Sequence, residues 1–239
     1  FELVAAVATE PESADLPLFR AAGIPVLVRD LREHCARRRL PLRDPQARAE
    51  FDEETARALR GHAPDVLLLL GYLYRVAEPL LDRYRDRVLN IHDADLCRRD
   101  GQGRPRFPGL HATRDAILAG ERETRSTLHL VTEEIDAGPP LVRSWPFPVH
   151  ALAEDARRWG TWDILKAYAY AHREWMMRAA WGRMAVRALE AFAAGELLVR
   201  DGTAYVRGRP GPVDLPPPAD DRRGHGVRRA AVGAEAGAG

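Results

Sequence analysis

Pro64-Asp65-Val66-Leu67-Leu68-Leu69-Leu70-Gly71-Tyr72 is the stretch whose reading decides the fold. An in–out strand with one wet face cannot take apolar residues on consecutive positions. A strand buried on both faces can, and that burial is the mark of a parallel sheet covered by helices. Upstream, residues 3–7 and 24–28 are strand-like. Pro25 is tolerable only at a strand start or edge. Between them, residues 16–22 read as a helix with Pro17 in its first turn and Gly23 as its stop. Residues 45–62 form an amphipathic helix with Phe51, Thr55, Ala58 and Leu59 on one face. Downstream come a helix at 78–84 and a short apolar run at 88–91.

This β-α-β-α rhythm predicts an α/β fold, a doubly wound, Rossmann-like, mostly parallel sheet with helices on both faces. Ligands in such sheets sit beyond the carboxyl ends of strands, so the loops after Leu70 and Ile91 are the ones to inspect. The second half adds a helix at 110–118, a strand at 124–132 and a proline-interrupted edge strand at 141–149. A long helix at 159–194 and a hairpin at 198–206, turning at Asp201-Gly202, complete it. The catalytic domain is expected over 1–213. A disordered tail rich in Pro, Gly, Ala and Arg follows over 214–239.

Composition removes several function classes. The 239 residues carry 36 basic and 35 acidic side chains, so a net charge of +1 gives no general pull toward nucleic acid or anionic lipid. Two cysteines, Cys35 and Cys97, make neither a disulfide framework nor a metal cluster. No apolar run is long enough to cross a bilayer and no leader is visible, so a cytoplasmic protein is expected. Lys166 is the one lysine among the basic residues; a coding bias toward arginine explains the rest. The chain opens without methionine inside a strand, which suggests residues missing upstream.

Asn90 and His92 flank Ile91, so in an extended chain they point to one side. Asp136 follows the 124–132 strand. An amide, an imidazole and a carboxylate brought together suit acyl transfer. The amide and a protonated ring would donate to a developing oxyanion, and the carboxylate would help a proton leave the attacking amine. Spacing alone leaves His92 open to a purely structural role.

Pro64 to Tyr72, Leu89-Asn90-Ile91-His92, Pro108-Gly109-Leu110-His111 and Val131-Thr132-Glu133-Glu134-Ile135-Asp136-Ala137-Gly138-Pro139 together resemble the motifs of the folate-dependent formyltransferase family, in the family's order. The likeness runs from about Leu3 to Val213 and is closest to the purine-biosynthesis branch. It implies 10-formyltetrahydrofolate as co-substrate, with no metal, and a small-molecule amine as acceptor. It implies Asn90, His92 and Asp136 as the catalytic triad. It also implies folate contacts at Gly71, Tyr72 and Leu73, and at Thr132, Glu133, Glu134 and Ile135. One extra residue between Tyr72 and Glu78 leaves assignments there open to a shift of one.

Two departures from the family pattern stand out. The chain reads as beginning at the family's second strand, without the first strand and its glycine-rich phosphate loop. After His92 the segment from Asp93 to Arg106 is longer and more charged than the family's; it reads as a surface insertion or as an altered acceptor pocket. Acceptor contacts are expected at Asp93, Asp95, Arg104 and His111, with a capping role as the alternative for His111. His129 reads as a packed core histidine, and His34 and His172 as surface or turn residues. Trp159, Trp162, Tyr168, Tyr170, Trp175 and Trp181 read as core or a packing face, with a homodimer interface as the alternative. Beside formyl transfer stand three rivals: hydrolysis of the folate, formylation of an amino sugar, and a non-catalytic folate-binding relative.

Overall fold

The structure, a computed structural model, describes residues 1–200 and 202–218. Asp201 and most of the expected tail, residues 219–239, lie outside the described residues. In chain order the elements are β1 (Ala6–Ala8), α1 (Leu16–Ala21), β2 (Val26–Val28), α2 (Leu31–Arg38), α3 (Pro45–Leu59), β3 (Leu67–Leu69), α4 (Glu78–Arg83) and β4 (Val88–His92). Then follow α5 (Ala112–Leu118), β5 (Glu123–Thr124), β6 (Thr127–Leu130), β7 (Pro140–Arg143), β8 (Phe147–Pro148), α6 (Ala151–Arg158) and α7 (Trp162–Met176). A π-helical turn over Met177–Trp181 leads into α8 (Gly182–Ala193), β9 (Leu197–Arg200), β10 (Thr203–Val206), β11 (Arg209–Pro210) and β12 (Val213–Asp214).

The central sheet has five strands in the order β12-β7-β6-β4-β3, and β1 and β2 pair in parallel as a separate ribbon. The α/β class holds, but the sheet is mixed rather than mostly parallel. β3–β4 and β7–β12 are parallel, whereas β4–β6 and β6–β7 are antiparallel. The run of residues at 67–69 that argued for parallel pairing does pair that way with β4. Past β4 the apolar alternation is compatible with either direction, and the nine-residue return from β6 to β7 needs no helical crossover.

Helices cover both faces. Leu89, Ile91, Leu128 and Leu130 point to the side packed by Met176, Ala180, Met184 and Ala188 of α7, the π-turn and α8. Val88 points to the other, against Ala56 and Leu59 of α3 and Leu80 of α4. The strand period therefore puts Asn90 and His92 on the α3–α4 side with Val88. The register Asn90↔His129 and His92↔Thr127 adds two β6 residues to that face.

Local chemistry accounts for two helices that the sequence reading passed over. Asp30 caps α2, its carboxylate accepting from the Glu33 N–H at 3.0 Å, and Arg39 ends it in a left-handed conformation. The imidazole of His150 caps α6 by accepting from the Leu152 N–H at 3.1 Å. The expected single helix over 159–194 is broken at its start, where Gly160 turns at positive φ. The aromatic band is not all core: Trp181 is buried, but Trp159, Trp162, Tyr170 and Trp175 are exposed. Order also extends past the boundary expected at Val213. Asp214 accepts from Arg143 at 2.7 and 2.8 Å, and Leu215 is buried in the main core.

His34 and His172, read as surface residues, are both buried. His172 lies 2.7 Å from Thr124 Oγ1 and 3.1 Å from the Tyr168 hydroxyl, and burial lowers its pKa from 6.5 to about 4. The unfolded chain takes up that proton near 6.5 and the folded one resists until about 4. This contribution to stability is therefore complete above pH 6.5 and is lost as pH falls toward 4. Thermal unfolding between pH 7.5 and 4.5 should show a steep fall across that window, shallower in His172→Gln. A second expectation concerns Leu128, wholly buried in a central strand. Leu128→Ala should cost about 2–5 kcal/mol in urea unfolding.

Candidate active site

Asn90, His92, His129 and Asp136 meet at one point on the α3–α4 side of the sheet. The Asp136 carboxylate lies 3.4 Å from His92 Nδ1 and 3.7 Å from His129 Nε2. Its side chain is only 9% exposed, against 8% for His92 and 2% for His129. Because β6 runs antiparallel to β4, the chain leaves Leu130 at the end of β4 away from His92. Residues 131–139 must double back to deliver Asp136. Two features permit this. Asp136 takes a left-handed backbone at φ 55, which aspartate tolerates better than most residues. Gly138 lies so close to the Leu130 carbonyl that any Cβ would collide with it.

His129 is the site residue that the sequence reading placed in the packed core. It is buried, as expected, but it is not inert. Its Nδ1 lies 2.8 Å from the Leu130 carbonyl, so Nδ1 carries the hydrogen and Nε2 is left to accept. The partner at 3.2 Å is Asn90 Nδ2. One amide hydrogen of Asn90 is thereby committed, the amide plane is set, and the second hydrogen is free for a ligand. Burial lowers the His129 pKa, the neighbouring His92 lowers it further, and Asp136 opposes both. A neutral ring is the form that this acceptor role needs. The sequence held one signal for it: His129 shares a face with Thr127 in the strand period, opposite the leucines.

His92 is held on both sides. Its Nε2 lies 2.8 Å from the Phe107 carbonyl and its Nδ1 faces Asp136. The Gly109 N–H donates to the same Asp136 oxygen at 2.7 Å. The strap Phe107-Pro108-Gly109 thus covers the His92–Asp136 pair and holds each member by one backbone group.

The loop at Gly71, Tyr72 and Leu73 follows β3 beside Asn90, since Leu69 pairs with Asn90. Gly71 turns at φ 66 and Leu73 is exposed. Tyr72 packs on the same apolar cluster as Val131, so the loop after β3 and the loop after β6 share a floor. Thr132, Glu133, Glu134 and Ile135 are exposed at its rim. Helix α3 braces the first loop from beneath. Arg48 donates to the Arg75 carbonyl and to the Tyr72 hydroxyl, and Asp52 accepts from the Ala77 N–H at 2.5 Å. Burial raises the Asp52 pKa to about 6, and burial also pushes the Tyr72 phenol above its ordinary value.

The expected acceptor residues separate. Asp93 is buried as a structural anchor, accepting from Ser126 Oγ at 3.0 Å and Trp181 Nε1 at 2.9 Å and pairing with Arg173 at 2.8 Å. Asp95 pairs with Arg143 at 3.1 Å and accepts from the Cys97 N–H. Arg104 closes the insertion on itself through Asp100, while Arg98 and Arg106 both grip Glu121. The insertion is therefore a surface hairpin, bridged at Arg99 and Pro105, in which Arg98, Arg104 and Arg106 are taken up by ion pairs. His111 sits next to α5 with no side-chain capping bond and lines a cavity.

The sequence profile of the formyl transferase family matches residues 2–158. The chain belongs to this family. The phosphoribosylglycinamide formyltransferase of Escherichia coli is 33% identical over 98 residues, 41% of this chain and 42% of that enzyme. The enzyme of the same name from Mycobacterium tuberculosis is 32% identical over 146 residues, 61% of this chain and 59% of that one. The chain thus matches less than two thirds of the length of either relative. Among solved structures, glycinamide ribonucleotide transformylase 1 from Symbiobacterium toebii superposes with a TM-score of 0.58 at 26% identity, covering 85% of this chain and 79% of that one.

The geometry of this family member makes a spectroscopic prediction. In nitrogen-detected NMR, His129 should remain neutral with its hydrogen on Nδ1 well below pH 6.5. Asp136 opposes the lowering of its pKa, so Asp136→Asn should move the His129 titration to still lower pH. A shift upward would contradict the arrangement described.

Proposed function

We propose that the chain transfers a formyl group from 10-formyltetrahydrofolate to the amine of a small-molecule acceptor. The single observation that supports this most directly is the convergence of Asn90, His92 and Asp136, with His129 orienting the amide. The acceptor nitrogen attacks the formyl carbon, and the carbonyl π electrons move to oxygen. The free Nδ2 hydrogen of Asn90 donates to that oxygen, aided by His92 once the strap at Phe107 to Gly109 frees its Nε2. Asp136 holds His92 and draws the proton from the attacking nitrogen. The bond from the formyl carbon to the folate N10 then breaks, and N10 takes a proton relayed through His92. Donors already fixed in place cost no reorganisation as charge develops, which is why a braced Asn90 matters.

Gly71, Tyr72 and Leu73 and the rim from Thr132 to Ile135 are the residues assigned to the folate, Thr132 to Ile135 being adjacent in sequence to Asp136. The names of the relatives support glycinamide ribonucleotide as the first acceptor to try. Self-association through the exposed aromatics from Trp159 to Trp175 belongs to the same reading, and sedimentation equilibrium checks it.

His92→Ala and Asp136→Asn should each lower transfer by about 10²–10⁴-fold, with folate affinity within a few-fold of the parent. His129→Leu should lower kcat by about tenfold or more while leaving KM for the folate nearly unchanged, since it acts through Asn90 and the neighbouring Asp136 rather than on the folate. Full activity in His92→Ala would overturn the assignment. Formate release without any amine would replace transfer by hydrolysis.

A further inference from the structure

The chain just beyond His92 is held by side chains rather than by the sheet. The ladder between β4 and β6 ends at the pair His92↔Thr127, so strand pairing fixes the backbone no further. Thr127 Oγ1 then donates to the Ala94 carbonyl at 2.7 Å and accepts from the Leu96 N–H at 3.1 Å. From α5, Thr113 Oγ1 donates to the Asp93 carbonyl at 3.0 Å.

The Asp93 side chain is the hub of this arrangement. It is buried on the face of the sheet opposite His92, as strand alternation requires. Three donors converge on its carboxylate: Ser126 Oγ at 3.0 Å, Trp181 Nε1 at 2.9 Å and Arg173 Nε at 2.8 Å. Ser126 is itself fixed, its N–H donating to Ser144 Oγ at 2.9 Å.

The helix that supplies two of these donors is distorted to do so. Arg173 and Trp181 are eight positions apart. In an unbroken α-helix that spacing leaves two side chains about 80° apart around the axis, whereas seven positions leave about 20°. The π-helical turn over Met177–Trp181 takes up an extra residue, so the eight behave as seven and both side chains reach one carboxylate. The Arg173 guanidinium accordingly lies 5.8 Å from the Trp181 ring centroid.

A buried ion pair is a poor source of stability, since apolar residues of the same volume do as well or better. What three fixed donors do supply is a single position for the residue they hold. His92 is joined to that residue by one peptide bond, and the 3.4 Å approach of its Nδ1 to Asp136 depends on where that peptide lies.

We propose that Asp93, held by Ser126, Arg173 and Trp181, is a positioning residue for His92, fixing the end of β4 from the far face of the sheet so that the imidazole meets Asp136. Its role in turnover rests on the formyl-transfer reading; the placement of the ring does not, and is measured without folate. Trp181→Phe removes one donor and keeps an aromatic ring beside Arg173. Asp93→Asn keeps the shape but sets an amide against Arg173. Nitrogen-detected NMR of the full chain follows His92 and His129 together. In Trp181→Phe the His92 ring signals should shift or broaden while those of His129 stay, and Asp93→Asn should show the same change more strongly. In turnover, Trp181→Phe should lower kcat about tenfold and leave KM for the folate and for glycinamide ribonucleotide within about twofold of the parent. Trp162→Phe, at an exposed position in the first turn of α7, should match the parent in both measurements. Unchanged His92 signals, or an equal change at both histidines, would show that Asp93 serves the fold alone and would overturn the proposal. A parental kcat in Trp181→Phe would do the same. If the parent transfers no formyl group while His92 responds as described, the formyl-transfer reading fails and the positioning of His92 stands.

Discussion

Everything at the centre depends on the pairing of Asn90 with His129 across β4 and β6. The antiparallel register sets the two residues opposite each other on the α3–α4 face. The Leu130 carbonyl then holds the His129 hydrogen on Nδ1, and the remaining nitrogen can only accept. From that one constraint follow the orientation of the Asn90 amide, the need for a neutral buried ring, and the direction of the free amide hydrogen. A one-residue slip of β6 would send His129 into the leucine core and a leucine toward Asn90.

The second constraint is the return of the chain from β6. In a parallel arrangement Asp136 would have followed its strand at the same end as His92. The antiparallel strand exits at the opposite end, and the loop must fold back close against its own backbone. Gly138 leaves room for that approach and Asp136 accepts the left-handed turn. The strap at Phe107 to Gly109 then ties Asp136 and His92 together through backbone groups alone. No side-chain pattern in that strap would have announced the bond, because a carbonyl and an amide are present at almost every position.

Charge is distributed by the same logic of local against distant partners. The insertion after His92 looked like the place where arginines would meet a substrate. Its own turn brings Asp100 to Arg104, and Glu121 from beyond α5 takes Arg98 and Arg106. Between α5 and α7 the pairing is again split between near and far partners, Arg114 taking its neighbour Asp115 and Arg173 the distant Asp93. Exposed pairs of the first kind are worth little to stability.

The sequence by itself determined the α/β class, the parallel pairing of β3 with β4, and the family motifs around Asn90, His92 and Asp136, whereas the burial expected on both faces of β3 was not met: it is a half-buried edge strand with Leu70 exposed. Those rest on short-range facts: consecutive apolar residues, strand periodicity and residue types at fixed spacing. The signal for α2 was also present, in Asp30 three residues before Glu33, although the histidine cap of α6 follows no common rule. Only the tertiary structure decided the strand directions beyond β4, the part played by His129, and the ordering of Asp214 and Leu215 onto β7. It also decided which of the charged residues face one another. Each of these depends on contacts between distant segments, and periodicity reports which face a residue takes but not what lies across from it.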